Sequence, residues 1–591
     1  MKQIYKVLAA AAVVAGATSC SNFLEPDPKG KLLTETFFQT EQDLTMALNA
    51  LYYNVQASQN NTNPTIPQVQ GDDITSGVGS NKGAYLSADA FEEPADYKGV
   101  KAFWESQYNI IQAANLIIDN AERADASQEA INVALGNALF WRGCAYFQLV
   151  RVYGPLPINE HNEADNNSTP LTSVEGVYKL IERDLERADK LNLPATYQGE
   201  EYGYTGKCNY WVTRQTIKAA LTAVYMNMAG YPLKKAGYYE KAADKAKEIV
   251  DGVKAGTYDL ALETDWKEVY SCGNDWSREQ LITISYYDSP GVMGDMYANV
   301  SQFCKCHRFE TLNNGWGDFL PEYRWWAIFP DGPRKDAVYD PRINTYRTDT
   351  ETGKTIYVSW WATSSDPDVP DKVERNLSPY KPMFAPFTIN ADATGNPIRE
   401  PHDWSKPAYD GQSFPQNHRF IRYSEVLCWY AEAAARSGKH VPDAAQALQP
   451  VLDRAYESGK APNASALSAD QLAHQAWLEH GFEVTGYPLA LVTRRADQFR
   501  METLKEAWEY RRGEQTDVVV KKGTMTYGFG LKKIIRPNGR PQYLSGAWEA
   551  PLEEDIILKE PQPVAETWNG ERSIYQPYPP TETEKNPSIK R

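Results

Sequence analysis

Tryptophan is concentrated in one stretch of the chain. Of the 16 tryptophans in 591 residues, five lie between positions 316 and 361, namely Trp316, Trp325, Trp326, Trp360 and Trp361. The negative face of an aromatic ring suits the apolar, slightly positive C–H face of a sugar, so these side chains could form a stacking platform for an oligosaccharide. Adjacent tryptophans also often bury one ring in a local core. We therefore expect about two of the five to contact a ligand.

The hydroxyl rim of a sugar needs hydrogen-bonding partners such as Asp, Asn, Arg or Lys. The stretch 56–94 is rich in Asn, Gly, Ser and Pro, and it contains Asp72, Asp73 and Lys82. A loop of that length within a compact protein is usually functional or disordered. We therefore predict that Asp72, Asp73 and Lys82 provide the polar side of the ligand-binding site.

Two other clusters contain residue types that bind metals. Asp366, Asp368 and Asp371 offer the carboxylates that calcium prefers, but the sequence around them lacks the turn glycine and the distant glutamate of an EF-hand. Cys304 and Cys306 are separated by one residue, whereas zinc sites usually place about two to four residues between cysteines and need a second pair. We expect a solvated acidic loop and ordinary cysteines, and therefore no metal and no cofactor.

Catalysis is a competing interpretation of the acidic residues. A helical glycoside hydrolase would need two carboxylates roughly 5 to 10 Å apart across a cleft. Acidic pairs such as Asp72-Asp73 and Glu553-Glu554 are expected in any chain with 77 acidic residues, and no neighbouring motif distinguishes one of them. We therefore predict no catalytic residue and no enzymatic activity.

One helix organises the elements that must position these side chains. Apolar residues recur at three- and four-residue spacing from Ala134 to Tyr153, which places a stripe along one side of a helix. Gly154 and Pro155 end it, because glycine accepts the left-handed conformation after a helix and proline cannot continue the hydrogen-bond ladder. Similar patterns predict further helices at 41–55, 108–121, 172–191, 213–229, 239–253, 421–435 and 442–455.

Consecutive helices form hairpins in this prediction. The pairs 213–229 with 239–253 and 421–435 with 442–455 suggest tetratricopeptide-like stacking, although no strict repeat of about 34 residues is present. The helix at 172–191 is expected to begin with a capping box formed by Thr172 and Glu175. Pro450 is expected to kink the last of these helices.

The sequence thus predicts an all-α fold, a tetratricopeptide-like helical-repeat scaffold with long irregular insertions that form the ligand-binding face. The periodic segments place the scaffold at about residues 32–265 and 417–510. Residues 266–416 contain few amphipathic periods and many Gly, Pro and Asp, so we expect a loop-rich insertion there. Residues 511–591 are also expected to be loop-rich, and 32–591 form a single body.

The first twenty residues are typical of an export signal. Lys2 and Lys6 precede an apolar run at 7–17 that is too short to span a bilayer. The stretch Ala17-Thr18-Ser19-Cys20 resembles a bacterial lipobox, in which the cysteine is lipidated and becomes the first mature residue. We predict a signal peptide at 1–19, lipidation of Cys20 and a tether at 20–31. The alternative is an ordinary signal peptide followed by a chance cysteine.

Charge and hydropathy exclude two classes of partner and one class of protein. The chain has 61 Lys and Arg against 77 Asp and Glu, and the net charge of −16 repels nucleic acid and anionic lipid head groups. A mean hydropathy of −0.57 does not fit a polytopic membrane protein. Any membrane association is therefore expected to come from the lipid on Cys20.

Several separate segments together resemble the outer-membrane lipoproteins of the SusD/RagB family. The run Arg422-Tyr423-Ser424-Glu425-Val426-Leu427 is the most specific of them. The others, in chain order, are Cys20-Ser21-Asn22-Phe23-Leu24, Tyr108 with Asn115, Arg142 with Tyr146 and Phe147, Tyr153-Gly154-Pro155-Leu156-Pro157 and the run from Tyr178 to Leu185. The resemblance spans nearly the whole mature chain. It departs at Leu478-Glu479-His480-Gly481, where the family commonly has a Glu-Arg pair.

The resemblance implies a non-catalytic lipoprotein of the cell outer membrane, facing the cell surface. It implies that the protein captures oligosaccharides or polysaccharides and delivers them to a SusC-like TonB-dependent transporter. It also implies that Arg422, Tyr423 and Glu425 fix helix packing rather than touch ligand. Peptide cargo stays open as an alternative, because aromatic loops with acidic surfaces bind peptides as readily as sugars.

Overall fold

The computed structural model describes most of the chain between residues 37 and 589. The described residues are 37–59, 70–76, 91, 95–96, 98–162, 168–201, 204–207, 209–270, 274–285, 319–340, 342–348, 350–353, 355–359, 383–384, 417–488, 490–511, 518–522, 525–535, 541–549, 561–562, 568 and 570–589. The predicted signal peptide, Cys20 and the predicted tether lie outside them. Within the described residues, no helix combines the length and the apolar character needed to cross a membrane.

Helices form the first half of the molecule, and each packs against the next along the chain. They are α1 (Glu41–Ser58), α2 (Lys98–Asn120), α3 (Gln128–Tyr153), α4 (Val174–Lys190), α5 (Arg214–Ala229) and α6 (Tyr238–Lys254). Short strands stand between them: β1 (Ile74–Ser76), β2 (Leu156–Pro157), β3 (Leu171–Thr172), β4 (Gln198–Glu201) and β5 (Tyr204–Lys207). Strands β2 and β3 pair with each other, as do β4 and β5.

The organising helix ends where the sequence predicts but begins earlier. It is α3, and its first residue is Gln128 because Ser127 caps it, accepting a hydrogen bond from the Ala130 N–H at 3.2 Å. Its end at Tyr153 is confirmed, with Gly154 at φ 74°. The sequence predicts an apolar stripe along one side of this helix, but nearly every residue from Ile131 to Tyr153 is buried. The reason is that α2 and α4 both pack against it.

The predicted capping box of α4 is wrong. Ser173 is the capping residue, and its hydroxyl accepts a hydrogen bond from the Gly176 N–H at 3.2 Å. Thr172 belongs instead to strand β3, where it pairs with Leu156 of β2. Both residues can cap a helix, and the strand pairing decides between them.

The stretch after α6 is built from short strands and two short helices. Its elements are β6 (Gln280–Ile284), β7 (Phe319–Pro321), α7 (Tyr323–Ile328), α8 (Pro333–Val338), β8 (Tyr339–Asp340), β9 (Arg342–Thr348), β10 (Thr355–Ser359), β11 (Met383–Phe384) and β12 (His418–Arg422). All the pairings are antiparallel: β1 with β7, β6 with β12, β8 with β11 and β9 with β10. Because β6 and β12 pair, the chain leaves the scaffold and returns to it at one buried ladder.

The helical scaffold resumes directly after that ladder. Its second part contains α9 (Tyr423–Ser437), α10 (Val441–Ala455), α11 (Ala469–Glu483), α12 (Arg494–Arg500) and α13 (Leu504–Arg511). Helix α9 packs against α6 as well as against α10 and α11, so the stack continues across the insertion. Pro450 lies inside α10, which extends past it to Ala455. The predicted tetratricopeptide-like helical scaffold is confirmed.

The C-terminal part contains a sheet that the sequence does not predict. Strands β13 (Val518–Lys522), β14 (Met525–Ile535), β15 (Pro541–Glu549) and β16 (Pro561–Gln562) form an antiparallel sheet in that order. Glycines at 528, 530 and 546 lower the strand propensity of these segments, and the long pairing of β14 with β15 overrides it. Two short helices follow, α14 (Glu571–Ile574) and α15 (Pro580–Lys585).

Candidate functional site

The structure brings two parts of the predicted ligand-binding set together. Asp72 and Asp73 lie in the turn that leads into β1, and Trp325 and Trp326 lie on α7. Strand β1 pairs with β7, which directly precedes α7, and the register sets Ile74 opposite Pro321. The acidic turn is therefore adjacent to the tryptophan pair. Trp316, Trp360, Trp361 and Lys82 lie outside the described residues.

A guanidinium links the acidic turn to the tryptophans. Arg494, the first residue of α12, donates from Nε to Asp72 Oδ1 at 2.7 Å and from Nη2 to Asp72 Oδ2 at 3.0 Å. Its Cζ lies 4.2 Å from the ring centroid of Trp325 and also 4.2 Å from that of Trp477 on α11. The planar cation thus lies between two aromatic faces, where the electrostatic attraction of each ring adds to the ion pair. We call this group of Asp72, Trp325, Trp477 and Arg494 the arginine stack.

Trp325 and Trp326 both lie in the protein interior. Trp325 is 1 % exposed, its ring packs on Phe482 with the centroids 4.8 Å apart, and its Nε1 donates to Thr485 Oγ1 at 2.8 Å. Trp326 is 7 % exposed, and Lys335 Nζ lies 4.4 Å from its ring centroid. The Trp325 ring thus packs the insertion onto the scaffold, and the Trp326 ring is buried beside Lys335 within the insertion. Ligand contact by any of the five tryptophans stays a prediction.

Asp73 is buried beside the arginine stack. It is 3 % exposed, and its Oδ2 accepts a hydrogen bond from the Gly486 N–H at 2.8 Å. Gly486 has φ 66°, and a Cβ there would lie 2.3 Å from the Phe384 ring, so this close approach requires glycine. Burial raises the pKa of the Asp73 carboxyl to about 7, and the neighbouring Asp72 carboxylate adds to the rise. Ligand binding by Asp72 and Asp73 stays a prediction.

The outer side of this junction is exposed. Asp72 keeps part of its side chain in solvent, and α7 presents Ala327 and Ile328 on its surface, with Ile328 58 % exposed. The junction therefore presents a partly exposed carboxylate and apolar side chains, which are the two kinds of group that a sugar ring needs. The arginine stack links the acidic turn to α7.

A second charged group lies in the scaffold, and it involves the residues that the SusD/RagB resemblance assigns to packing. Arg422 Nη1 donates to Glu279 Oε1 at 3.1 Å and to Glu483 Oε2 at 2.9 Å, and the Arg422 N–H donates to Glu425 Oε1 at 2.9 Å. All four side chains are buried, so the packing role of Arg422 and Glu425 is confirmed.

Two more guanidiniums complete this group. Arg454 donates to Glu279 and Glu483, and Arg334 of α8 donates to Glu479 at 2.6 Å and to Glu483 at 2.9 Å. We call the six residues Glu279, Arg334, Arg422, Arg454, Glu479 and Glu483 the scaffold charge cluster. The arginines outweigh the effect of burial and lower the pKa of Glu483 well below its usual range. The cluster ties α8 in the insertion to β12, α10 and α11.

Sequence reasoning missed Arg494. Asp72 and Arg494 are 422 positions apart, and no local pattern connects two residues at that distance. The local sequence indicates only that a capping residue precedes two arginines, and in the structure Thr493 does cap α12, its hydroxyl accepting from the Ala496 N–H at 3.3 Å. Within the described ranges, no three His, Cys, Asp or Glu side chains are grouped to hold a metal ion. The aspartates at 366–371 and Cys304 and Cys306 lie outside those ranges.

The known proteins to which this chain is similar are SusD-like proteins. The SusD-like family model described as "Starch-binding associating with outer membrane" matches residues 22–225. SusD-like protein P2 of Formosa agariphila is 26 % identical over 426 residues, which cover 70 % of this chain and 74 % of that protein. A SusD-like protein of Bacteroides ovatus is 22 % identical over 585 residues, which cover 95 % of this chain and 96 % of that protein.

Solved structures share the fold. One of them, a crystal structure described as being with xylogluco-oligosaccharide, superimposes with a TM-score of 0.62 at 18 % identity. The match covers 93 % of this chain and 98 % of that one. The likeness therefore includes the insertion and the C-terminal part as well as the helical scaffold.

Proposed function

We propose that this chain, which belongs to the SusD/RagB family, captures oligosaccharides or polysaccharides outside the cell and delivers them to a TonB-dependent outer-membrane transporter. It binds the glycan without cleaving it. The lipid on Cys20 holds it at the outer membrane, facing the cell surface. No metal or cofactor takes part.

The main support for the proposal is the large share of the chain that is similar to SusD-like proteins. A family described as starch-binding and associated with the outer membrane matches the N-terminal third, and a SusD-like relative aligns over 95 % of the chain. The structural neighbour described with xylogluco-oligosaccharide has the same fold over 93 % of the chain. Since that neighbour's ligand is a glycan, a glycan is the first ligand class to test here.

The junction between insertion and scaffold supports the proposal physically. Its partly exposed carboxylate and its apolar surface lie on a base fixed by the arginine stack and the scaffold charge cluster. A base fixed in advance favours binding, because less conformational freedom is lost when the ligand docks. Trp316, Trp360 and Trp361 are the aromatic residues assigned to stacking.

The test is a glycan screen with the protein lacking residues 1–20. Affinity gels and isothermal titration calorimetry with xylogluco-oligosaccharides, starch oligosaccharides and other plant, microbial and host glycans would measure binding, and chromatography of the same mixtures would detect products. We expect binding to at least one class and no product. Product formation would favour the glycoside hydrolase interpretation. If none of the glycans binds, the proposal is contradicted, and peptides are the next ligands to screen.

Tryptophan variants locate the site. Replacing Trp316, Trp360 and Trp361 together with alanine is expected to lower the glycan affinity by about tenfold or more, since each ring stack contributes about 1 kcal/mol. Trp211→Ala is the matched control, because this half-buried tryptophan packs on Tyr197 and Tyr210 in the scaffold. An equal loss of affinity in the control, or none in the triple variant, would exclude the platform.

A further inference from the structure

A small pocket lies where the chain leaves the scaffold at strand β6. Its volume is about 170 Å³, and its walls come from β6, the segment before it and the segment that precedes α5. The described residues that line it are Asn209, Trp276, Ser277, Gln280, Ile282 and Thr283. None of these six is charged, and none belongs to the arginine stack, the acidic turn or the scaffold charge cluster. The lining of this pocket is therefore distinct from that of the junction.

Two buried amide side chains in the pocket wall each keep an atom without a partner. Asn209 is 4 % exposed, and its Oδ1 accepts a hydrogen bond from the Tyr197 N–H at 3.2 Å, so Nδ2 is the remaining donor. Gln280 is 3 % exposed, and its Nε2 donates to Val269 O at 3.5 Å, so Oε1 is the remaining acceptor. Within the described part of the chain, neither Asn209 Nδ2 nor Gln280 Oε1 has a hydrogen-bond partner. Because unpaired buried polar groups are costly, the two amides favour an occupant that supplies both an acceptor and a donor.

The walls of the pocket are fixed by contacts with the rest of the body. Trp276 is half-buried, and the preceding Asp275 accepts a hydrogen bond from Arg419 Nη1 at 2.6 Å. On the side of α5, the Thr216 hydroxyl donates to Leu281 O in β6 at 2.9 Å. The polar groups and the tryptophan ring are thus held in place before a ligand enters, which reduces the conformational freedom lost on binding.

The lining restricts the class of ligand. An anion would need a cation, and none of the six lining residues is one. An apolar ligand would leave both amide atoms unpaired. The volume corresponds to about five or six water molecules and is below the roughly 300 Å³ of sites for drug-sized ligands, so the occupant is no larger than one ring. An uncharged sugar unit has neighbouring hydroxyls that donate and accept, and a C–H face that suits the ring of Trp276.

We infer that this pocket binds a single uncharged sugar unit. The ring of Trp276 lies against the C–H face of the sugar, Asn209 Nδ2 donates to one hydroxyl oxygen, and Gln280 Oε1 accepts from a neighbouring hydroxyl. The inference goes beyond the proposed function, which assigns glycan binding to the junction, because it gives the chain a second sugar site with its own residues. A polysaccharide that reaches both sites gains affinity from the second contact without any change at the first.

Saturation-transfer difference NMR with single sugars tests the inference. The probes are glucose, galactose, mannose and xylose, added to the protein lacking residues 1–20, with N-acetylglycinamide as a small amide probe. We expect at least one sugar to bind with a Kd on the order of 1 mM, since a ligand of about twelve non-hydrogen atoms makes few contacts. Binding of none of the sugars, or of the amide alone, would overturn the inference.

A substitution of Gln280 locates the bound sugar and separates binding from stability. Gln280→Met removes the free acceptor but keeps an unbranched side chain of similar volume, so it should weaken sugar binding by about tenfold. Its melting temperature should be unchanged or higher, because a buried oxygen without a partner is replaced by an apolar group. A lower melting temperature together with unchanged sugar affinity would show that Gln280 is only structural and would overturn the inference.

Gln215 supplies the matched control. It lies on α5 and also has a buried Oε1 without a partner among the described residues, but it does not line the pocket. Gln215→Met should therefore leave the sugar affinity unchanged. An equal loss of affinity in Gln215→Met and Gln280→Met would mean that the sugar binds elsewhere.

Two substitutions of Trp276 test the stacking contact. Trp276→Phe keeps an aromatic face and should retain the sugar affinity within about threefold, whereas Trp276→Ala should lower it by about tenfold. Because this side chain is half-buried, the fold tolerates both changes better than it would at a core position. Unchanged affinity in Trp276→Ala would overturn the inference.

The two sites fail in distinguishable ways. The triple alanine variant of Trp316, Trp360 and Trp361 leaves the pocket intact and should keep the affinity for single sugars while it loses affinity for longer glycans. If a single sugar binds in the pocket but no longer glycan binds the chain, the proposed function fails and the inference stands. If longer glycans bind but Gln280→Met and Trp276→Ala change no affinity, only the inference fails.

Discussion

The scaffold charge cluster and the acidic turn both bury carboxylates, but only the cluster supplies a cation for each. In the cluster, Glu279 and Glu483 each contact two or more guanidiniums. In the turn, Arg494 is bound by Asp72 through both carboxylate oxygens, and Asp73 accepts a backbone N–H from Gly486 instead. The same burial therefore lowers the pKa of Glu483 in one region and raises that of Asp73 in the other.

The difference indicates how the two regions respond to pH. A carboxylate paired with arginine stays ionised and keeps its contacts at every pH near neutrality. A buried carboxyl without its own cation holds its proton up to a pH near 7 and then becomes a buried charge. The scaffold charge cluster is thus held by fixed charges, whereas the acidic turn contains a group that titrates near neutral pH.

The largest expected effect is the loss of a cation from the scaffold charge cluster. Arg422→Met leaves Glu279 and Glu483 buried with fewer partners and should lower the free energy of unfolding by about 3–5 kcal/mol. Arg278→Met is the matched control, because Arg278 pairs with Asp259 on the exposed surface and should cost less than about 1 kcal/mol. Urea unfolding of both variants measures the difference. If both variants lose the same unfolding free energy, the buried ion pairs of the cluster stabilise the protein no more than an exposed ion pair does.

The next effect concerns Asp73 and depends on pH. A carboxyl whose pKa rises from 3.8 to about 7 on folding contributes stability below pH 3.8 that is lost as the pH rises through 7. Asparagine imitates the protonated form at every pH. Asp73→Asn should therefore match the unaltered protein near pH 4 and exceed it by up to about 4 kcal/mol at pH 8. Urea unfolding at both pH values measures this, and a variant that is less stable at pH 8 would contradict the assignment.

Asp72 supplies the control for that experiment. Its carboxylate accepts two hydrogen bonds from Arg494, so Asp72→Asn should lower the stability at pH 8, in the direction opposite to Asp73→Asn. If both variants change stability in the same direction, the two neighbouring aspartates do not have the different roles that their partners indicate.

His480 is a second buried group whose contribution to stability should depend on pH. Burial by itself lowers the pKa of His480, but the carboxylates of Asp497 and Glu425 outweigh it and raise the pKa to about 9. Its stabilisation is fully present below pH 6.5 and is lost as the pH rises through 9. His480→Gln should cost about 3 kcal/mol at pH 6 and much less at pH 9.5. Thermal unfolding against pH measures this, and a cost that does not vary with pH would refute an ionised His480.

The smallest effect is expected in the arginine stack. Arg494→Lys keeps the positive charge near Asp72 but loses the bidentate contact and the flat cation between Trp325 and Trp477. The expected cost is about 1–2 kcal/mol of unfolding free energy, with a change in tryptophan fluorescence as the ring environments change. Lys505→Arg, an exchange of the same two residue types in reverse on α13, is expected to be silent. If Arg494→Lys changes neither the unfolding free energy nor the fluorescence, the positive charge alone is sufficient to hold the acidic turn.

The sequence predicts the helices well because their signals are local. Apolar spacing and the stop at Gly154 place the end of α3, and Gly438, at φ 74°, ends α9 in the same way. The cap of α4 fails for a reason that is also local, since Thr172 and Ser173 are both suitable caps and only the pairing of β2 with β3 distinguishes them. The C-terminal sheet is missed because its glycines weaken the strand pattern that long pairing restores.

The sequence by itself determined the helical scaffold, the resemblance to the SusD/RagB family and the two segments that meet at the junction. Only the tertiary structure decided what those segments do there, placing Asp72 against Arg494, packing Trp325 against Arg494 and Phe482 and leaving Asp73 without its own cation. The physical reason is distance along the chain. Helix signals act over three or four residues, whereas burial and ion pairing depend on residues that only the folded backbone brings together.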